Sequence, residues 1–241
     1  MSEPYWQGVF PAITTLLRRD QSIDLEATAR HADVLINSGV GGLIFLGSLA
    51  ENQVRRREEK RLVIEALVKA VHGRVPVLSG VAESSSEEAC AYVRDVAKLG
   101  VDGVMVMPAM LYKGDERETL PHFRTVAQAS ELPMMIYNNP ISYANDVTPE
   151  MFVQLEDQKN FVALKESSGD VRRITDLRNA AGDRYAIFTG VDCKRRSKSA
   201  AGVTRVTGLV TASCGTFNHN EGCTQIWKTG VKYAGGCWWR G

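Results

Sequence analysis

Apolar and polar positions follow two rhythms along most of the chain. Short apolar runs bounded by Gly, Pro, Asn or Asp predict strands. Between them, apolar residues recur at the three- and four-residue spacing of a helix face. Strands are predicted at residues 9–15, 42–46, 75–81, 104–107, 134–137, 161–165 and 186–189. Helices are predicted at 24–37, 58–71, 86–99, 117–130, 148–155 and 171–181. The first helix carries Leu25, Ala32, Leu35 and Ile36 as its stripe and stops at Gly39. The second carries Leu62, Val63, Ala66, Leu67 and Ala70 and stops at Gly73. Ser86, followed by two glutamates, opens the third, and Pro149 sits in the first turn of a short fifth.

Strict strand–helix alternation with short connections implies a parallel sheet with helices packed against it. Seven or eight such units in 241 residues predict an α/β fold, a (β/α)₈ TIM barrel. A doubly wound open sheet is the alternative. No G-x-G-x-x-G fingerprint follows the first strand and no P-loop is present, which weighs against it. The rhythm breaks after Asp192. Residues 193–199, Cys-Lys-Arg-Arg-Ser-Lys-Ser, form a basic run with no apolar face, and the end is rich in Gly, Cys and Trp. An eighth strand is expected at 206–210, with an irregular last unit. The domain reading is a barrel core at 1–192 and an irregular C-terminal segment at 193–241.

Composition narrows the class of partner. The chain is 44% hydrophobic and 24% charged, as in an ordinary globular protein. Its net charge of +1, from 29 Lys and Arg against 28 Asp and Glu, gives no reason to expect nucleic acid or an acidic membrane as partner. No apolar run approaches the ~20 residues that span a bilayer. The first residues, Met1-Ser2-Glu3-Pro4-Tyr5-Trp6, lack the features of a signal peptide, so a cytoplasmic protein is expected. Cys90 lies on a helical pattern and reads as a small buried apolar residue. The other four, Cys193, Cys214, Cys223 and Cys237, crowd the last fifth of the chain. The spacing of Cys214, His219 and Cys223 fits no zinc pattern, and neither metal nor cofactor is expected.

Function on a barrel belongs at the carboxyl ends of the strands, and three ends carry chemistry. Phe161-Val162-Ala163-Leu164 runs into Lys165, so an amine stands at the rim of the sheet. Burial lowers a lysine pKa from about 10.4, and a neutral amine in a dry pocket attacks carbonyl carbon. The plain alternative is a strand-end lysine that reaches out to solvent. Tyr137, followed by Asn138-Asn139-Pro140, places a phenol at another mouth position, as proton carrier or as ordinary packing. Gly47-Ser48-Leu49-Ala50-Glu51-Asn52 follows a third strand; it is either a common βα turn or a backbone cradle for an anion. Lysine, phenol and the Ser48 hydroxyl together make a plausible set for Schiff-base chemistry.

Gly47-Ser48-x-x-Glu51, Tyr137-Asn138-x-Pro140 and Lys165-Glu166-Ser167-Ser168-Gly169-Asp170, in that order, resemble the dihydrodipicolinate synthase / N-acetylneuraminate lyase family. The likeness covers roughly residues 6–192. It implies a lysine Schiff-base lyase on a (β/α)₈ barrel, acting on pyruvate or another 2-oxo acid. Lys165 would form the imine, Tyr137 would relay a proton and Ser48 would continue the relay. Gly47, Ser48, Leu49 and Val206 would bind substrate, with the Ser48 and Leu49 N–H groups on its carboxylate. A homo-oligomer, dimer or tetramer, is implied for an intact form. Leu49 lacks the second hydroxyl of the family's glycine–threonine–threonine–glycine–glutamate turn, Tyr112 is displaced from the tyrosine after the fourth strand, and Ser142 stands where the synthase has an arginine. An aldolase, dehydratase or deaminase branch, such as the 1-pyrroline-4-hydroxy-2-carboxylate deaminases, is therefore expected rather than the synthase itself. The family's C-terminal helices are missing, and the tail reads as truncated or frameshifted. A family member that only binds a small carboxylic acid is the alternative to an active lyase, and an unrelated phosphate- or flavin-binding barrel is a further one.

Overall fold

The computed structural model describes residues 6–190 and the strand pair Arg205–Val206. Seven strands form one sheet: β1 (Leu43–Phe45), β2 (Val77–Val81), β3 (Gly103–Val106), β4 (Met134–Asn138), β5 (Phe161–Glu166), β6 (Ala186–Thr189) and β7 (Arg205–Val206). Every pairing is parallel, and the strands lie in sequence order. A doubly wound sheet reverses its order at a switch point; this sheet runs one way throughout.

Among the described residues, α1 (Leu25–Asn37) precedes the first strand, and six further α-helices connect the strands: α2 (Arg57–Val71), α3 (Ser86–Lys98), α4 (Glu116–Ala127), α5 (Pro140–Tyr143), α6 (Pro149–Gln154) and α7 (Arg172–Ala181). Their starts are built by local chemistry. The Asp24 side chain accepts from Ala27 N at 2.9 Å, and Ser85 accepts from Glu88 N at 3.2 Å. Asp115 and Glu118 form a reciprocal capping box at α4. Every predicted helix is present. α5 is an addition, and its single turn is too short to carry a periodic signal.

Residues 9–15 depart from expectation. They form an extended segment rather than a strand, held to β1 by one parallel bridge, Ala12 to Ile44. Ile13 N donates to Ile44 O at 3.0 Å, Ile44 N to Pro11 O at 2.9 Å, and Gly41 N to Val9 O at 2.9 Å. Pro11 has no N–H to give, so the ladder cannot continue through it. The expected eighth strand at 206–210 coincides with β7 only at Val206. Residues 207–210, the basic run, and Cys193, Cys214, His219, Cys223 and Cys237 lie outside the described residues.

Alternation along the strands sorts apolar side chains into two layers. Leu43, Phe45, Val77, Val104, Val106, Met134, Ile136, Leu164 and Ile187 face the helices. Ile44, Leu78, Met105, Met135, Ala163 and Phe188 face the other way and pack with Trp6 and Phe10. That second layer could not close if the sheet were flat, since Phe10 precedes β1 and Phe188 belongs to β6. Their rings meet edge to face with centroids 5.4 Å apart. The sheet is therefore curled around an interior filled with side chains, as in the greater part of a (β/α)₈ barrel. Gly42 makes room for this plug, because a Cβ there would lie 2.1 Å from Phe10 Cε1. Cys90 is buried among the helix-side residues, as expected.

Removing the plug tests the curl. Phe188→Ala should destabilise the fold by about 3–5 kcal/mol, the usual cost of deleting a buried phenylalanine. The check is a lower urea midpoint with an unchanged slope.

Candidate active site

The mouth is assembled from strand ends. Lys165 is the fifth of the six residues of β5, 5% exposed, with Tyr137 of β4 and Phe188 of β6 as its register partners. Its Nζ stands 4.0 Å above the centroid of the Tyr137 ring. The residue after β6, Gly190, closes on it from the other side: an added Cβ there would lie 2.7 Å from Lys165 Cε and 2.0 Å from Ser167 Oγ. The lysine is enclosed, so the reading in which it reaches out to solvent is set aside.

Two tyrosines sit beside this amine in opposite electrostatic conditions. Burial pushes the Tyr137 phenol up, but the Lys165 charge and the polar groups of Asn139, Ser167 and Tyr143 outweigh it, leaving its pKa below 10. Asn139 Nδ2 donates to the Tyr137 oxygen at 3.1 Å. Tyr143 meets Tyr137 edge to face, with ring centroids 5.7 Å apart. Burial, reinforced by the neighbouring Tyr137, pushes the Tyr143 phenol up to about 12. Its hydroxyl donates to Ser48 Oγ at 2.6 Å.

Local sequence explains why Tyr143 arrives there. Asn139 caps α5, its side-chain oxygen accepting from Ser142 N at 3.2 Å, while Pro140 presets the first turn. Ala144 ends the turn in the left-handed region. One asparagine thus shapes the turn with its oxygen and holds the Tyr137 hydroxyl with its nitrogen.

Ser48 rides on a strained turn. Leu46 (φ +49°) and Glu51 (φ +59°) both lie in the left-handed region, uncommon for residues other than glycine. The fully buried Asn52 clamps the turn by donating from Nδ2 to Leu46 O at 2.8 Å and to Gly80 O at 3.1 Å. Gly80 is required here, because a Cβ would fall 2.1 Å from Leu46 O. Gly47 is under no such demand: its φ is −72°, and an added Cβ would come no closer than 3.8 Å to another atom. Leu49 is 47% exposed.

A polar network fixes the ends of β4 and β5. Asn138 Nδ2 donates to the buried Glu166 carboxylate at 3.0 Å and to Asp146 at 3.1 Å, and its oxygen accepts from Val147 N at 2.9 Å. Arg173 pairs with Asp146 at 2.8 Å. Among the predicted residues, Lys165 and Tyr137 are in direct contact, and Ser48 joins them through Tyr143. Val206 is the register partner of Thr189 in the strand beyond β6. Tyr143, Asn139, Asn52 and Gly190 were not anticipated. The Asn-Pro step before Tyr143 is a legible signal for a capped turn that places the third residue after proline on the mouth.

Comparison with known proteins follows the same residues. The model of the Dihydrodipicolinate synthetase family matches residues 5–223. A 4-hydroxy-tetrahydrodipicolinate synthase of Oceanobacillus iheyensis is 32% identical over 184 residues, 76% of this chain and 62% of the relative. The corresponding protein of Methanothrix thermoacetophila is 30% identical over 206 residues, 85% of this chain and 69% of the relative. The chain thus spans only about 62% of the first of these relatives. Among solved structures, the 4-hydroxy-tetrahydrodipicolinate synthase of Methylacidiphilum fumariolicum SolV superposes with a TM-score of 0.82 at 25% identity, covering 85% of this chain and 68% of that one. YagE, a prophage protein of the dihydrodipicolinic acid synthase family from E. coli K12 solved in complex with pyruvate, gives 0.83 at 27% identity, covering 97% and 79%. Among the described residues, no helix is long and apolar enough to cross a membrane, and no group of three or more His, Cys, Asp or Glu is placed to hold a metal.

The charge coupling at the mouth can be read by titration. Lys165→Met removes the positive charge that helps hold Tyr137 below 10, so the phenol should ionise at higher pH. Ultraviolet phenolate absorbance, with Tyr137→Phe as the reference, checks the direction.

Proposed function

The chain belongs to the dihydrodipicolinate synthetase family, and on that premise we propose that it is a lysine Schiff-base lyase acting on pyruvate or another 2-oxo acid. The observation that carries this reading is the enclosed Lys165 amine 4.0 Å from the face of a phenol whose acidity it raises. An amine at a strand end, walled from water and beside a proton carrier, meets the two needs of imine formation. Lys165 Nζ attacks the C2 carbonyl and gives a carbinolamine. Tyr137 passes the proton that lets its hydroxyl leave as water, and the imine carbon then activates the neighbouring C–H or C–C bond. Ser48 carries the proton onward. The N–H groups of Ser48 and Leu49 open a short 3₁₀ turn and have no carbonyl within it, and they receive the substrate carboxylate. Gly47 and Val206 complete the substrate set.

The branch is an aldolase, dehydratase or deaminase, and a homo-oligomer in the cytoplasm is part of the same proposal. Leu111 (76% exposed) and Tyr112 (61%) on the loop after β3 and Ile141 (74%) on α5 offer apolar surface for such a contact.

Two outcomes test the reading. Incubation of the full chain with pyruvate and borohydride should leave a reduced adduct on the peptide that carries Lys165, and Lys165→Ala should abolish it. Pyruvate-induced thermal stabilisation that survives Lys165→Ala, with no adduct in the parent chain, would instead identify a protein that only binds the acid. Gly190→Ala, which forces Lys165 aside, should slow trapping by on the order of 10²-fold, since a displacement of about 1 Å suffices for that. A rate equal to that of the parent chain would refute the enclosure.

A further inference from the structure

We propose that Tyr143, a residue of the same chain, is the middle member of the proton relay, carrying protons between Tyr137 and Ser48. The inference rests on the Schiff-base reading of Lys165 and adds a residue to it. A relay needs hydroxyl next to hydroxyl, and the bond that reaches Ser48 Oγ comes from the Tyr143 phenol, at 2.6 Å. The Tyr143 ring also stands edge to face with Tyr137, centroids 5.7 Å apart, and the Tyr143 hydroxyl acts on the Tyr137 phenol as a hydrogen-bonding neighbour that lowers its pKa, so Tyr143 touches both predicted members. It is only half-buried, but the turn that carries it is fixed at both ends, by Asn139 at the start and by the left-handed Ala144 at the end. Asn139 holds Tyr137 as well, so one side chain sets the relative position of both phenols.

The environments fit the roles. Tyr137, beside the amine, sheds its proton the more readily; Tyr143, held up at about 12, stays protonated and donates. Two like groups pushed in opposite directions mark donor and acceptor. When Tyr137 takes a proton from the nitrogen of the forming carbinolamine, its own passes to the Tyr143 oxygen. The Tyr143 proton passes to Ser48 Oγ, and the serine proton leaves at the mouth. Each oxygen ends with the proton count it began with, and only O–H bonds break and form. The same path in reverse returns a proton through Tyr137 to the carbinolamine hydroxyl, which leaves as water. Tyr143 acts through Tyr137 and Ser48 and is a positioning residue in this scheme.

The test needs no second substrate. Imine and enamine formation exchanges the methyl protons of pyruvate for deuterium in heavy water, and mass spectrometry follows the rate. Tyr143→Phe keeps the ring and removes one oxygen. It should slow exchange by about 10²-fold, the low end for a positioned proton carrier, with the half-saturating pyruvate concentration unchanged. Ser48→Ala approaches the same bond from its other end and should slow exchange similarly. The double variant should be no slower than either single variant, as for members of one unit. Exchange at the parent rate in Tyr143→Phe, or losses that multiply in the double variant, would overturn the relay while leaving a parent chain that exchanges and forms its borohydride adduct. A parent chain that does neither removes the Schiff-base reading and the relay with it.

Discussion

An amine enclosed at the carboxyl end of a strand is the constraint on which the rest of the mouth depends. Ammonium groups are strongly hydrated, and enclosing one without compensation is costly. The fold answers with an aromatic face 4.0 Å away and with the bare backbone of a glycine packed against the lysine stem. Gly190 is part of that answer: any side chain there would collide with the lysine stem or with Ser167. Register completes it, because Tyr137 and Phe188 lie opposite Lys165 on both neighbouring strands. The interior layer of Phe10, Met105, Met135 and Phe188 fills the curl of the sheet beneath it. The core that stabilises the sheet and the walls of the site are thus continuous.

Three asparagines then set the geometry above the core, and each bridges two elements. Asn52 ties the strained end of β1 to β2, Asn138 ties β4 to β5 and to the loop before α6, and Asn139 ties the Tyr137 hydroxyl to α5. A carboxamide suits this work, since it offers both donor and acceptor and carries no charge to desolvate. The strained φ of Leu46 and Glu51 persists because such clamps over-determine the turn. Removing the Asn52 amide would leave two buried carbonyls without that donor, which is the expensive half of a hydrogen bond to lose.

Much of this was legible in the sequence, for reasons that differ by feature. The strand and helix order followed from burial periodicity, because parallel strands are buried on both faces and helices on one. Lys165 and Tyr137 stood out because each ends an apolar run. The first strand misled: its residues are as apolar as those of a strand, but Pro11 interrupts the ladder. Closure around Phe10 and Phe188 joins residues far apart in sequence, a contact no local pattern encodes. Gly47 drew attention as a glycine at a mouth, yet the steric demand falls on Gly80 and Gly190, seen only once their neighbours are in place. Tyr143 was missed because a four-residue helix carries no period, although its Asn-Pro start was readable as a cap.

The two tyrosines show why residue type alone underdetermines a site. Tyr137 and Tyr143 are chemically identical, six residues apart, and both are substantially shielded from water. Shielding alone would drive both phenols upward. Only Tyr137 lies against the lysine, and that one contact reverses the direction for it, while its own developing charge pushes Tyr143 further up. A difference in acidity between neighbouring hydroxyls gives a proton a preferred direction of travel, and here the difference originates in Lys165. Under the proposed mechanism, nucleophile and proton path are therefore one electrostatic unit. A substitution at Lys165 removes the amine proposed to attack and, in the same stroke, the charge that sets Tyr137 apart from Tyr143.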